Sequence, residues 1–153
     1  MEEIGVIWKS YSPYTSLIMI VEVLRSNEKW KIRLCSDTTK FNKATIKDAR
    51  PLSNFRMIFD KLEGAAVYTI MDMVAGYWQV RVWKEDILKT AFIIVWEQYE
   101  YLKMPFRLCN ALATFQWLMN YVLHNHLSKF IIVYLDNMEI YFKSMAKHIK
   151  YLD

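Results

Sequence analysis

Two apolar, β-prone runs near the end of the chain, 130–135 and 138–142, enclose a short polar centre. Runs rich in Ile, Val, Tyr and Phe around turn-forming residues are typical of a β-hairpin. The centre holds Asp136 and Asn137, so the hairpin would present a carboxylate at its tip. Two interpretations of that carboxylate stay open: Asp and Asn are ordinary turn residues, and an acid at the end of a hydrophobic sheet also suits a metal ion.

Length and composition indicate one domain's worth of globular chain. The 153 residues can bury a core, and no apolar run approaches the roughly 20 residues of a membrane helix. Hydrophobic residues make up 54% of the chain, which suggests surface meant for a partner or for further parts of a longer protein. Residues 1–3 include two acids and lack the basic segment of a signal peptide, so we expect an intracellular protein, in the cytoplasm or nucleus.

Charge and cysteine content exclude few functions. The net charge of +4 permits a nucleic-acid partner without requiring one. A predicted polar loop over 37–48 contains three lysines, Lys40, Lys43 and Lys47. These lysines could bind phosphates or could simply form a solvated face. The two cysteines, Cys35 and Cys109, show no metal-ligand or disulfide spacing and are expected to be small packing residues.

Hydrophobic patterns predict strands mixed with helices. Strands are expected over 17–24, 30–35, 67–73 and 78–83, with a hairpin loop at 25–29. A further hairpin is expected over 91–96 and 99–102, with its turn at Glu97-Gln98. Helical segments are expected between Ser53 as N-cap and Gly64 as stop, and over 84–88, 110–127 and 144–153.

Two of these helices have an apolar face that we expect to pack in a core. In the first, the face consists of Phe55, Ile58, Phe59 and Leu62. In the second, it consists of Ala111, Phe115, Leu118, Met119, Val122 and Leu123. Near the end of that second helix, His124 and His126 are expected to be exposed residues rather than metal ligands.

Several short blocks, in order along the chain, resemble the reverse transcriptase domain of gypsy-type LTR retrotransposons, a member of the retroviral-type reverse transcriptase superfamily. The blocks lie at 12–14, 37–48, 51–65, 72–81, 85–92, 99–116 and 134–137. Tyr134-Leu135-Asp136-Asn137, for example, is similar to the family's YLDD hairpin. The resemblance covers nearly the whole chain, roughly 5–152.

The resemblance implies an α+β fold that comprises the fingers and palm of a reverse transcriptase, with an antiparallel sheet backed by helices. Residues 1–153 would form a partial domain in which fingers and palm intermix, without the thumb and RNase H regions. The implied activity is RNA-directed DNA polymerisation, with an RNA or DNA template-primer and a dNTP as partners. Polymerases of this class use two Mg²⁺ ions, which prefer carboxylate, phosphate and water oxygens.

The resemblance also implies roles for individual residues. Asp72 and Asp136 would be the metal ligands, and an antiparallel sheet can bring two such strand ends together. The catalytic positions would be Asp72, Asp136 and Asn137. The nucleotide-binding positions would be Arg33, Tyr77, Phe106 and Arg107. Tyr77 would lie under the incoming sugar, Phe106 would shape the pocket, and Arg33 would grip the triphosphate.

Departures from the family pattern lower the expected activity. Asn137 replaces an Asp, which removes one negative charge and puts the second metal ion in doubt. Arg107 replaces a Gly beside the nucleotide pocket. Thr39, Val74 and Leu112 also depart from the pattern. We therefore expect an impaired polymerase; the alternatives are a non-catalytic nucleic-acid-binding or interaction module derived from a retroelement, and an unselected fragment that does not fold.

Overall fold

The predicted strands form two sheets in the computed structural model of the chain, which describes residues 1–24, 30–50, 55–127 and 129–152. The sheets belong to two compact units, and each unit is built from two segments of chain. The first unit comprises Met1–Lys47 and Tyr77–Ala111, and the second comprises Asp48–Gly76 and Leu112–Asp153.

The first unit contains a five-stranded sheet. Its strands are β1 (Ile7–Lys9), β2 (Ser16–Leu24), β3 (Trp30–Ser36), β5 (Phe92–Ile94) and β6 (Glu97–Tyr101), in the spatial order β1-β6-β5-β2-β3. β2 and β5 pair in parallel, and the other described pairs of this sheet are antiparallel. Val6, Ile7, Phe92 and Tyr101 form its buried core. The strands predicted over 17–24 and 30–35 are therefore confirmed, while the loop predicted at 25–29 lies outside the described residues.

Two predictions in this unit are wrong. The segment 37–48 is not simply a loop, because it contains the helix α1 (Thr39–Ala44). The segment 78–83 is not a strand, because a 3-10 helix over Gly76–Gln79 includes its first two residues. Trp78 packs against the Phe106 ring, with centroids 6.0 Å apart, and this tertiary contact overrides the local strand preference. Among the described residues, the β-pairing of this segment is limited to an isolated bridge between Arg81 and Lys103.

The hairpin of β5 and β6 is confirmed, but its turn lies two residues earlier than predicted, at Val95-Trp96. In the observed register Phe92 pairs with Tyr99, and the Phe92 ring also lies 4.7 Å from the Tyr101 ring. This register leaves a two-residue turn, and its first residue, Val95, has a left-handed conformation with φ of 56°. The helical turn predicted over 84–88 is present as α3 (Lys84–Ile87).

Over its described residues, the second unit contains a three-stranded antiparallel sheet and three helices. Its elements are α2 (Phe55–Leu62), β4 (Val67–Asp72), α4 (Ala111–Val122), β7 (Ile131–Tyr134), β8 (Asn137–Phe142) and α5 (Met145–Leu152). The first residue of α4, Ala111, belongs to the first unit, and the rest of the helix belongs to the second. The strand order is β4-β8-β7. Ile131, Val133 and Ile140 form the core, and Met119 and Leu123 pack against it.

Local sequence signals agree with the end of α2 but not with the end of α4. Gly64 adopts a φ of 77° just after α2, as expected for a helix stop, while the predicted N-cap Ser53 lies outside the described residues. The apolar face predicted for α2 is only partly buried, because the Phe59 side chain is 67% exposed. The helix predicted over 110–127 ends earlier, at Val122, where the chain turns toward β7, and Val122 itself is exposed.

Helix α5 covers one face of the three-stranded sheet. The buried His148 ring places Nε2 2.7 Å from the Thr69 hydroxyl of β4. The Tyr151 ring lies 5.3 Å from the Phe142 ring of β8. Because side chains alternate along a strand, residues adjacent to Thr69 in β4 project from the opposite face of the sheet. On that opposite face Ile70 is 70% exposed, so the face is open to solvent at this position.

Candidate active site

Asp72 and the β7–β8 turn lie together at one end of the three-stranded sheet. Asp72 is the last residue of β4 and pairs directly with Asn137, the first residue of β8. The backbone N–H of Met73 donates to the carbonyl of Asp136, at 3.1 Å. The antiparallel register of β4 and β8 therefore makes Asp72 a neighbour of the Asp136–Asn137 segment, as the resemblance implied.

Strand alternation determines where Asp72 points. Thr69 and Met71 face the core, so Ile70 and Asp72 project from the opposite face, and both are exposed. Asn137, which is paired with Asp72, shares that face and is exposed too. The carboxylate of Asp72 is therefore available to solvent and to a ligand.

The turn that contains Asp136 has an unusual backbone. It consists of Leu135 and Asp136, and Leu135 has a φ of 57°. Positive φ at the first of two turn residues, and not at the second, fits a type II′ hairpin turn, in which Gly is usual at that position. A leucine in this conformation is strained, and strained backbone concentrates at functional sites.

The donor set fits one hard cation better than two. Asp72 and Asp136 supply two carboxylates, and Asn137 offers only a neutral amide. Over the residues that the structure describes, no group of three or more His, Cys, Asp or Glu side chains could hold a metal ion. Mg²⁺ can be held by one or two carboxylates because it retains waters and substrate phosphates. Two carboxylates are thus the kind of ligand that Mg²⁺ uses, and binding of an ion by these residues stays a prediction.

The first unit holds the aromatic pair assigned to nucleotide binding. The Tyr77 ring packs edge-on against the Phe106 ring, with centroids 5.1 Å apart and an interplanar angle of 69°. Tyr77 is buried, whereas Phe106 is 51% exposed. Phe106 therefore presents an open aromatic surface that Tyr77 supports. The role of this pair in nucleotide binding stays a prediction.

Arg107 follows Phe106 and has a left-handed backbone, with φ of 72°. Its side chain is exposed rather than in the core, and its carbonyl accepts hydrogen bonds from Thr38 Oγ1 at 2.9 Å and Asn42 Nδ2 at 2.8 Å. Hydrogen bonds from Thr39, and then the cationic Lys40 and Arg107, hold the pKa of the Asp37 carboxyl below its usual value. No ion pair between Arg107 and an acid occurs among the described side chains.

Replacing Arg107 with Gly is expected to stabilise the chain by about 0.5–1 kcal/mol, because Gly adopts positive φ without a steric cost. Arg107→Ala is the matched control, since it removes the cation and keeps the strained backbone. Chemical denaturation of both variants measures the difference. Equal stability of the Gly and Ala variants would show that the backbone at this position is not strained.

The other residues singled out in the sequence are Arg33, the two cysteines, two histidines and three lysines. Arg33 lies in β3 and pairs with Val21 of β2, and its role in triphosphate binding stays a prediction. Both cysteines are free and half-buried. His124 and His126 are exposed, as expected. The three lysines of segment 37–48 are exposed, so phosphate binding and a solvated face both stay open for them.

Comparison with known proteins identifies the family. The reverse transcriptase (RNA-dependent DNA polymerase) family matches residues 12–153, so the chain belongs to it. Among curated relatives, an RNA-directed DNA polymerase homolog from Oenothera berteroana is 43% identical over 79% of this chain and 87% of its own length. The Retrovirus-related Pol polyprotein from transposon 297 of Drosophila melanogaster is 39% identical over 95% of this chain. The resemblance to retrotransposon reverse transcriptases is thus confirmed.

Solved structures confirm the fold. The foamy viral protease-reverse transcriptase in complex with double-stranded DNA superposes with a TM-score of 0.83, at 23% identity, over 99% of this chain. The native Prototype Foamy Virus Protease-Reverse Transcriptase superposes with a TM-score of 0.80, over 97% of this chain. The α+β architecture of fingers and palm predicted from the sequence is therefore correct.

The extent of these matches differs between relatives. The chain spans 14% of the length of the transposon 297 polyprotein and 26% of the DNA-bound foamy viral chain.

Within the described ranges, no helix has the length and apolar character that crossing a membrane requires. Reverse transcriptases use divalent metal ions.

Proposed function

We propose that this chain contributes the catalytic palm and fingers of an RNA-directed DNA polymerase. The observation that supports this proposal is the register of β4 and β8, which brings Asp72 next to the Leu135–Asp136 turn. Asp72 is an exposed carboxylate at the end of β4, and Asp136 is a half-buried carboxylate in the adjacent turn. Carboxylates are the ligand type of a Mg²⁺-dependent nucleotidyl transferase. A template-primer of RNA or DNA and a dNTP are the proposed partners, inside a cell.

Six of the predicted site residues have a defined part in this proposal. Asp72 and Asp136 hold the cation by their carboxylates. A Mg²⁺ ion bound there would lower the pKa of the primer hydroxyl and would neutralise charge on the phosphates. Phe106, supported by Tyr77, offers an aromatic surface to the nucleotide, and Arg33 would attract the triphosphate. Asn137 supplies no charge, so we propose that one ion is held, with reduced affinity, and that turnover is slow.

A second candidate is a nucleic-acid-binding module without catalysis. The observation that favours it is the neutral Asn137 opposite Asp72, because loss of a carboxylate weakens any two-ion site. Such a module would keep the fold and the family's affinity for nucleic acid, but it would not extend a primer.

A primer-extension assay with an RNA template, a DNA primer, dNTPs and Mg²⁺ separates the two candidates. Extension is expected from the wild-type chain and not from Asp72→Asn, because the variant loses a metal ligand. Asp60→Asn is the matched control, since Asp60 is an exposed acid of α2. Binding of the template-primer without extension in all three proteins would favour the second candidate. A cooperative thermal transition, recorded first, excludes an unfolded fragment.

A further inference from the structure

Gln116 of α4 makes a set of hydrogen bonds that packing alone does not require. Its side chain is buried, with only 3% of its surface exposed. The amide Nε2 donates to the carbonyl of Val133 and to Asn120 Oδ1, both at 3.0 Å. The amide Oε1 accepts the backbone N–H of Leu135, at 2.8 Å. One side chain therefore holds the last part of β7 and the first residue of the turn.

The backbone that Gln116 holds is the strained part of the hairpin. Leu135, with φ of 57°, occupies a conformation that costs free energy for any residue with a Cβ atom. Such a conformation persists only where the surroundings fix it. On the far side of the turn, the N–H of Met73 binds the Asp136 carbonyl. The turn is thus fixed by α4 on one side and by the end of β4 on the other.

The chemistry at this position favours glutamine. The Leu135 N–H needs an acceptor and the Val133 carbonyl needs a donor, and a primary amide supplies both. A buried site offers little water to replace either bond, so an apolar residue would leave both backbone groups unsatisfied. A glutamate in its ionised form could accept from Leu135 but could not donate to Val133.

We propose that Gln116 is a positioning residue that keeps the Leu135–Asp136 turn in its strained form and thereby keeps Asp136 beside Asp72. The part of this inference that concerns metal binding rests on the proposed function, whereas the part that concerns the turn does not. Gln116 acts through the backbone and has no contact with substrate in this proposal.

Gln116→Met tests the proposal, because methionine has a similar length and cannot replace the amide. Met119→Ala is the control: Met119 lies on the same helix and packs against the core cluster of Ile131, Val133 and Ile140. Two quantities are measured for each full-length variant under conditions where circular dichroism shows it folded: the hydrogen-exchange rate of the Leu135 amide, and the Mn²⁺ dissociation constant. If Gln116→Met does not fold, Gln116→Asn, whose amide is one methylene shorter, takes its place.

Gln116→Met is expected to raise the Leu135 exchange rate and to weaken Mn²⁺ binding, each by about tenfold, whereas Met119→Ala leaves Mn²⁺ binding unchanged. Equal effects of the two variants on both quantities would overturn the proposal, because Gln116 would then act only through general stability. If the wild-type chain binds no Mn²⁺, the proposed function fails. The exchange rate still decides the role of Gln116 in that case: faster exchange in Gln116→Met alone supports it, and equal exchange in the two variants overturns it.

Discussion

Replacing Asn137 with Asp is expected to tighten Mg²⁺ binding about tenfold. Asn137 is exposed and pairs with Asp72 on the same face of the sheet, so the new carboxylate would join the proposed ligands. A unit charge about 5 Å from a dication in a water-like medium contributes on the order of 1.5 kcal/mol, which corresponds to about tenfold in affinity. Asp and Asn have nearly the same shape, so the hairpin should keep its fold. Titration calorimetry of both forms with Mg²⁺ measures the change.

The control for this variant adds the same charge at another place. Asn125→Asp introduces a carboxylate at an exposed position after α4, and Mg²⁺ affinity should stay close to that of the wild-type chain. If Asn137→Asp and the wild-type chain bind Mg²⁺ equally well, the missing charge at residue 137 is irrelevant to metal affinity and does not weaken the site.

Replacing Phe92 with Ala is expected to lower the free energy of unfolding by about 3–5 kcal/mol. Phe92 is only 2% exposed and lies in the core of the first unit, against Val6, Ile7 and Tyr101. Its removal takes away apolar contact area and leaves a cavity that strands on both sides of β5 can fill only in part. Urea denaturation followed by circular dichroism measures the loss.

Phe59→Ala is the matched control for the core variant. Phe59 belongs to α2 and is 67% exposed, so its truncation should change stability by less than about 0.5 kcal/mol. Similar losses for the two variants would mean that Phe59 is covered in the folded chain or that Phe92 is not a core residue.

Much of the fold could be predicted because local and tertiary preferences agree. The runs around Asp136 and Asn137 are apolar, β-branched and interrupted by turn residues, and they form the hairpin of β7 and β8. The errors occur where contacts between distant residues determine the local conformation. The turn at Val95-Trp96 follows from the pairing of Phe92 with Tyr99, which no local pattern specifies. Segment 78–83 alternates like a strand, yet Trp78 packs against Phe106 instead.

The candidate site likewise contains residues that could be predicted from the sequence and a residue whose role depends on tertiary contacts. The resemblance correctly brought Asp72 and Asp136 to neighbouring strand ends, because it carries information on strand pairing that spacing alone lacks. The role of Gln116 was missed because it depends on contacts between α4 and a turn that lies 19 residues further along the chain. Its signal was a polar residue directly after Phe115, next to the predicted apolar face of α4. The positive φ of Arg107 had a signal as well, since the family has Gly at that position.

The most direct test of the proposed catalytic centre is the location at which a divalent ion binds. Mn²⁺ is paramagnetic and broadens the NMR signals of nearby backbone amides, so a titration of the isotope-labelled chain maps the site. We expect the amides of Asp72, Met73, Asp136 and Asn137 to lose intensity first, and Asp72→Asn to abolish this pattern. Broadening centred instead on Asp60 and Glu63, or spread evenly over the chain, would contradict a metal site at the ends of β4 and β8.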